Sequence, residues 1–264
     1  MTTLREFNFF FFLFYFFIIK MEQELKAPFV RQGGKRNIKS ILYKMFPSNF
    51  KTYVEPFVGG GSVFMGYKFP EGVKAVINDK DAQLMAGYRA LKNAKNPEAY
   101  KQYDTHDKNR LQSMLDGSNP LLREIAKAGT FGAYGRGKIY KDATPWRILK
   151  DSDKYRAKLK NTTILSQDYG AVISKYNNPN TFLYLDPPYE GSDEGGIYKE
   201  KGFNIEQLRD KLKNFKGKFM LSMNDSSNVR NLFKGYKVRG LSVKSLSNEP
   251  SHRKTRKELI ITNY

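Results

Sequence analysis

The 264-residue chain contains no cysteine. Disulfides, thiolate zinc sites and any route through a cysteine nucleophile are thereby excluded, including the one by which the ring carbon of cytosine is alkylated. Histidine is nearly absent too, with His106 and His252 the two present, so a His-rich metal centre is excluded and no metal is expected. Acids are in short supply: 26 Asp and Glu stand against 46 Lys and Arg, a formal charge of +20 at pH 7 and a pI near 9.8. Such an excess implies a polyanionic partner, nucleic acid first and an anionic membrane second, with a merely solvated basic surface as the bland alternative. Apolar residues make up 40% and aromatics 14%, which places the chain among globular proteins with ample core.

A hydrophobic run of membrane-spanning length is also missing. Phe7 to Ile19 is apolar except for Asn8 and lies between Arg5 and Lys20, but it is shorter than the roughly 20 residues a spanning helix needs. No small-residue cleavage site follows it, which argues against a secretory signal. Met21-Glu22-Gln23-Glu24-Leu25 then reads as an ordinary soluble start. Residues 1–20 are accordingly expected to be an upstream extension, not part of the native protein; a membrane-surface anchor is the alternative. The expected location is the cell interior, cytoplasmic or nucleoid-associated, or the host interior for a viral protein, and not secreted.

What is present begins with Thr181-Phe182-Leu183-Tyr184-Leu185, which reads as a buried strand, followed by Asp186-Pro187-Pro188-Tyr189. Two prolines stop any ladder and stiffen the backbone at the strand's carboxyl end, where open α/β sheets bind ligands. A carboxylate and a carbonyl can both accept from one amino group, drawing its lone pair out of conjugation, and a ring can stack on the flat group that carries it. That set suits alkylation of an exocyclic nucleobase amine. Taken alone, the four residues are equally a turn.

Upstream, Gly33-Gly34-Lys35 precedes an amphipathic helix with Ile38, Ile41, Leu42 and Met45 at helical spacing. Tyr53-Val54 is a short strand entering Gly59-Gly60-Gly61, with Ser62 placed to cap the next helix. Val76-Ile77-Asn78-Asp79 is a second strand ending in an acid about 20 residues past the glycines, which is the pattern for close approach and ribose recognition. No Walker lysine and no full G-x-G-x-x-G follow. A ligand with a ribose and no pyrophosphate, such as S-adenosylmethionine, fits better than NAD or ATP; a structural Gly-rich turn is the alternative.

Tyr88 to about Leu122 has helical character, as has Leu121 to Ala128. Residues 128–138 interleave four glycines with Phe131, Tyr134, Arg136 and Lys138, a loop or hairpin suited to phosphates and bases, or a plain surface loop. From Arg136 to Lys160, nine Lys/Arg face three Asp. Thr163 to Tyr169 reads as a strand ending in Asp168-Tyr169. Glu190 to Gly196 reads as a mobile loop able to order over substrate. Phe203 to Leu212 is an amphipathic helix and Lys218 to Ser222 a strand, with Asn224-Asp225-Ser226 capping the helix after it. Tyr236 to Arg239 and Glu258 to Thr262 form a final strand pair, joined by a basic loop over 242–257.

Four ordered motifs, Phe29-x-x-x-Gly33-Gly34-Lys35, Glu55-Pro56-Phe57-Val58-Gly59-Gly60-Gly61-Ser62, Asn78-Asp79 and Asp186-Pro187-Pro188-Tyr189, with the closing Lys257 to Tyr264, resemble the Dam-type (alpha-group) DNA adenine-N6 methyltransferases over roughly residues 27–264. The resemblance implies an α/β fold: a Rossmann-like S-adenosylmethionine-dependent methyltransferase core (21–84 and 163–264, mixed sheet) with a helical target-recognition insertion (85–162) carrying a Gly-rich hairpin. It implies catalysis by Asp186, Pro187, Pro188 and Tyr189. Cofactor contacts are implied for Phe29, Gly34, Lys35, Glu55, Phe57, Gly59, Gly61, Asp79, Asp168, Tyr169 and Asp186. DNA contacts are implied for Tyr134, Arg136, Lys138, Lys141, Arg253, Lys254 and Arg256. Arg31-Gln32 stands where relatives usually have Trp-Ala, and the hairpin has fewer Asn and Arg than is common in the family. The expected partners are double-stranded DNA and S-adenosylmethionine, with a cognate restriction endonuclease also in view, and the expected state is a monomer or weak dimer. The alternatives are an RNA purine-amine methyltransferase and a catalytically silent DNA-binding homologue.

Overall fold

The computed structural model describes residues 24–31, 33–103, 107–130, 146–188, 203–244 and 255–264. Its strands are β1 (Thr52–Glu55), β2 (Lys74–Asn78), β3 (Thr162–Leu165), β4 (Thr181–Leu185), β5 (Lys218–Asn224), β6 (Lys237–Lys244) and β7 (Thr255–Thr262). They form one sheet in the order β3-β2-β1-β4-β5-β7-β6, parallel through β5, with β7 antiparallel to both its neighbours. This is a Rossmann-like, doubly wound arrangement, and the strand order reverses between β1 and β4. Helices α1 (Lys39–Met45), α2 (Ser62–Gly66) and α3 (Ala82–Asn93) accompany the first two strands. Between α3 and β3 come a 3-10 turn (Pro97–Tyr103), α4 (Lys108–Asp116), α5 (Pro120–Ala126), α6 (Trp146–Leu149) and α7 (Ser152–Leu159). The sheet's second half carries α8 (Tyr169–Lys175), α9 (Ile205–Lys213) and α10 (Ser227–Leu232).

Strand periodicity divides the core into two layers. Tyr53, Ile77, Phe182, Tyr184, Met220 and Ile260 face one side, against residues of α1 to α5 and α7. Val54, Val76, Leu183, Leu185, Phe219, Leu221, Leu259 and Ile261 face the other, against α8, α9 and α10. Every residue of β4 is buried, as its continuous apolar run predicts. With each large apolar side chain worth about 1.5–3 kcal/mol on burial, this central strand anchors Asp186 firmly.

Several local expectations need correction. Ser62 does not cap α2: Gly61 holds the N-cap position at φ 79°, with no side chain to bond. Ile41 is exposed, the helix turning Ile38 and Leu42 inward instead. The helical stretch from Tyr88 is broken after Asn93, with a new cap at Asp107 and another at Asn119 ahead of Pro120. Asp168 ends no strand; it caps α8, its Oδ1 accepting from Gly170 N at 2.8 Å. The closing hairpin is longer than its apolar residues suggest, because the ladder runs on through Ser242↔Lys257, Val243↔Arg256 and Lys244↔Thr255. Charge density argues against burial, not against pairing; what is left of the expected basic loop, 245–254, lies outside the described residues.

Candidate active site

The carboxyl ends of β2, β1 and β4 lie side by side and lead into Asp79, Glu55 and Asp186, and Asp168 follows beside them in the turn after β3. Asn78 ties these ends together. Its Nδ2 donates to the carbonyls of Pro56 and Gln167 at 2.9 and 3.0 Å, and its Oδ1 accepts from Gln167 N at 2.9 Å. The side chain is fully buried, so one amide fixes the turns after β1 and β3 to β2.

The glycine turn is fixed to the same frame. Asp79 Oδ2 accepts from Gly59 N at 3.0 Å and Oδ1 from Asp81 N at 3.0 Å, while Tyr88 Oη donates to Gly59 O at 2.9 Å. Burial raises the Asp79 carboxyl, and these backbone donors counter the rise. Gly60 is obligatory because a Cβ there would lie 2.3 Å from the Phe29 carbonyl oxygen. Gly59 is different: at φ 48° it disfavours a side chain, and nothing lies within 4 Å of where its Cβ would be, which leaves open space against the turn. Phe29 itself is core, its ring edge-on to Tyr88 at 4.9 Å. Gly34 lies in the turn ahead of α1, with Arg31 O the nearest neighbour to a Cβ there, at 3.6 Å.

Beside this turn is an aromatic group. Phe57 and Tyr169 lie 5.2 Å apart, with Phe203 at 6.0 and 5.9 Å from them. Sequence reasoning singled out the first two and missed Phe203, whose position just ahead of α9 reads only as helix packing.

Glu55 is fully buried, and Asp186 is largely so, with 19% of its side chain exposed. Tyr53 Oη donates to Glu55 Oε2 at 2.6 Å. Burial holds the Glu55 carboxyl well above the usual range, Tyr53 lowers it, and Asp186 raises it further. Asp186 is pushed up to about 6 by burial, against the opposing pull of Lys35. Lys35, 4% exposed, donates from Nζ to Gly33 O at 2.8 Å and meets Asp186 Oδ1 at 2.7 Å. The sequence marked both residues but gave no sign that they pair.

Arg31 makes a largely buried ion pair with Glu124 of α5 and lies 3.6 Å from Asp81; Lys127 takes the other Glu124 oxygen. The segment before Gly33 is thus joined to α5. Not all of the basic run 136–160 faces solvent. Lys158 turns inward to the Tyr67 carbonyl and sits 4.2 Å over the Phe69 ring, burial lowering it to about 8. Arg156 donates to Ala94 O at 3.0 Å. Tyr134, Arg136, Lys138, Lys141, Tyr189, Arg253, Lys254 and residues 1–20 lie outside the described residues. Arg256 is described through its backbone alone, paired with Val243.

A model of the D12 class N6 adenine-specific DNA methyltransferases matches residues 32–116 and 119–247. The chain belongs to this family. Type II methyltransferase M.CviBI of Paramecium bursaria Chlorella virus NC1A is 27% identical over 79% of this chain and 87% of its own. Type II methyltransferase M1.LlaDCHI of Lactococcus lactis subsp. cremoris is 27% identical over 90% of this chain and 95% of its own. The DNA adenine methylase of Vibrio cholerae serotype O1 is 24% identical over 77% and 83%.

Methyl transfer in this family draws on S-adenosylmethionine, which carries a cationic sulfonium and ammonium, a ribose and a flat base. The site residues fit it: carboxylates at or just past four adjacent strand ends in a strongly basic protein, open space against Gly59, and rings at Phe57 and Tyr169. Among the described residues, no group of three or more His, Cys, Asp or Glu could hold a metal ion. No helix among them is long and apolar enough to cross a membrane.

Proposed function

We propose that the protein transfers a methyl group to the N6 amine of adenine at a specific sequence in duplex DNA, with Asp186 as the acceptor that holds the amine. The observation that carries this reading is Asp186 itself. It stands directly after the fully buried β4, at the sheet's topological switch, with Pro187 and Pro188 stiffening the backbone behind it.

In this reading Asp186 and the Pro187 carbonyl accept the two amine hydrogens, and Tyr189 stacks on the base. The amine is not accessible for attack within the stack, so the base is flipped out. S-adenosylmethionine supplies the electrophilic methyl. Asp79 holds its ribose, Asp168 its adenine, the turn at Gly59 and Gly61 lies against it, and Phe57 and Tyr169 line its base. Lys35 orients Asp186. The insertion over 85–162, with Tyr134, Arg136, Lys138 and Lys141, reads the target, and Arg253, Lys254 and Arg256 hold phosphates. The reading extends to a monomer or weak dimer acting inside the cell, or the host cell, with a cognate restriction endonuclease as a further partner.

The test is incubation with duplex DNA and methyl-labelled S-adenosylmethionine, followed by digestion to nucleosides. Label is expected on adenine N6 and is lost in Asp186→Asn. Label on RNA purines and none on DNA overturns the reading in favour of an RNA enzyme. Salt-sensitive DNA binding with transfer to neither overturns it in favour of a silent binding protein.

A further inference from the structure

Glu258 has no part in the reaction as described so far. It lies on β7 opposite Asn224 of β5 and is 7% exposed. Its Oε1 is 3.7 Å from Lys35 Nζ, and its Oε2 accepts from Ser222 Oγ at 3.3 Å. The lysine that meets Asp186 at 2.7 Å is therefore shared by a second buried carboxylate, reached from the far side of the strand order. Burying a second carboxylate beside the first is costly unless the cluster uses its charge.

The use follows from the charge on the substrate. As the N–C bond forms and the sulfonium S–C bond breaks, leaving a neutral thioether, the amine becomes cationic until it gives up one proton to solvent, so the site must offer negative charge at that point. A lysine bound to Asp186 alone would cancel the charge that the amine needs. With Glu258 added, one ammonium lies between two carboxylates, and the formal charges of these three groups sum to −1. We infer that Glu258 is a positioning residue for methyl transfer, holding Lys35 as its counter-ion so that the negative charge of Asp186 remains available to the amine. This rests on Asp186 as the amine's acceptor.

Among the described residues, the charged and polar groups around Asp186 are Lys35 and the Gly33 carbonyl from the turn before α1, Glu258 from β7, Ser222 from β5 behind Glu258, and Glu55 from β1. Among the influences on Asp186, burial raises its carboxyl, Lys35 lowers it, and Glu258 raises it. Removing Glu258 takes one raising influence from Asp186 and moves its carboxyl downward.

The experiment is the pH profile of the single-turnover rate constant in full-length protein carrying Glu258→Gln. The rate at pH 7.5 is expected to fall about tenfold to a hundredfold. The half-saturation values for DNA and S-adenosylmethionine should stay within about twofold, and the acid limb should move to lower pH than in the wild type. Glu258→Asp should show a smaller shift in the same direction, and it decides the matter if the Gln variant does not fold. A Lys35→Gln/Glu258→Gln double variant should lose less than the product of the single losses. An unmoved acid limb in a folded variant overturns the inference, as does a loss confined to half-saturation values or to folded fraction. Asp186→Asn, run in parallel, separates the two claims. If it retains transfer, the reading of Asp186 fails; if it is inactive while Glu258→Gln keeps the wild-type limb, only the role of Glu258 fails.

Discussion

Asp186 is asked to be both buried and ionised, and these demands oppose each other. Its carboxyl titrates near 6 in the folded protein against an ordinary 3.8, with burial the first cause. The sign follows by linkage. A carboxyl whose folded value lies above its unfolded one costs stability when ionised; the cost is complete above about pH 6 and disappears as pH falls toward 3.8. Asp186→Asn should therefore stabilise the fold at pH 8, by on the order of 1–3 kcal/mol, while abolishing transfer. Urea unfolding at pH 8 and pH 5 checks this: the advantage should be roughly halved at the lower pH. An Asn variant less stable than wild type at pH 8 would show that the carboxylate is needed to neutralise Lys35. The same charge state predicts that wild-type single-turnover rates rise with pH through about 6. Asp186 was legible in the sequence because its signal is local, an apolar strand running into two prolines. Its pairing with Lys35, and the reach of Glu258 to that lysine, depend on segments about 150 and 220 residues apart that only the sheet order brings together.

Among the elements, the joint between β2 and its neighbours depends on Asn78. Asn78→Ala leaves the Pro56 carbonyl without its partner in a buried place, and the Gln167 carbonyl and N–H without theirs at its part-buried rim. The expected loss is about 2–4 kcal/mol, since unsatisfied buried groups bear their full desolvation cost. Asn78→Asp should not rescue it, because a carboxylate can accept from Gln167 N but meets two carbonyl oxygens at its other side. Urea midpoints of the two variants test this, and an Ala variant within about 0.5 kcal/mol of wild type would remove Asn78 from the frame. Most elements could be read from periodicity, above all β4, the β1–glycine turn–β2 unit and α9. The boundaries that differed have identifiable causes. A glycine at the N-cap displaced Ser62 from that role. Asp168 was read as a strand end because a capping acid and a ligand-binding acid look alike in sequence. Lys158 counted as a surface cation because inward direction on α7 is set by the Tyr67 carbonyl and the Phe69 ring, which belong to a distant loop.

For the molecule as a whole, charge is separated by function. A protein of +20 places acids at or just past the carboxyl ends of four neighbouring strands. On the proposed reading, phosphates are repelled from these acids and drawn to the basic residues of the chain, so the duplex is held outside while an uncharged base can enter. The cationic cofactor has the opposite preference and gains from the same acids. The two ligands should consequently respond differently to salt. Raising ionic strength from 50 to 200 mM should weaken binding of a target duplex by about a hundredfold or more, because each neutralised phosphate releases a counterion. Binding of S-adenosylmethionine, made at short range by partly buried groups that are screened much less, should change by less than about threefold. Titrating each ligand separately across that range, by fluorescence anisotropy for the duplex and calorimetry for the cofactor, decides the matter. If cofactor affinity falls in parallel with duplex affinity, the acids at the strand ends are not its site. If duplex affinity is insensitive to salt, the positive charge of this chain serves something other than DNA.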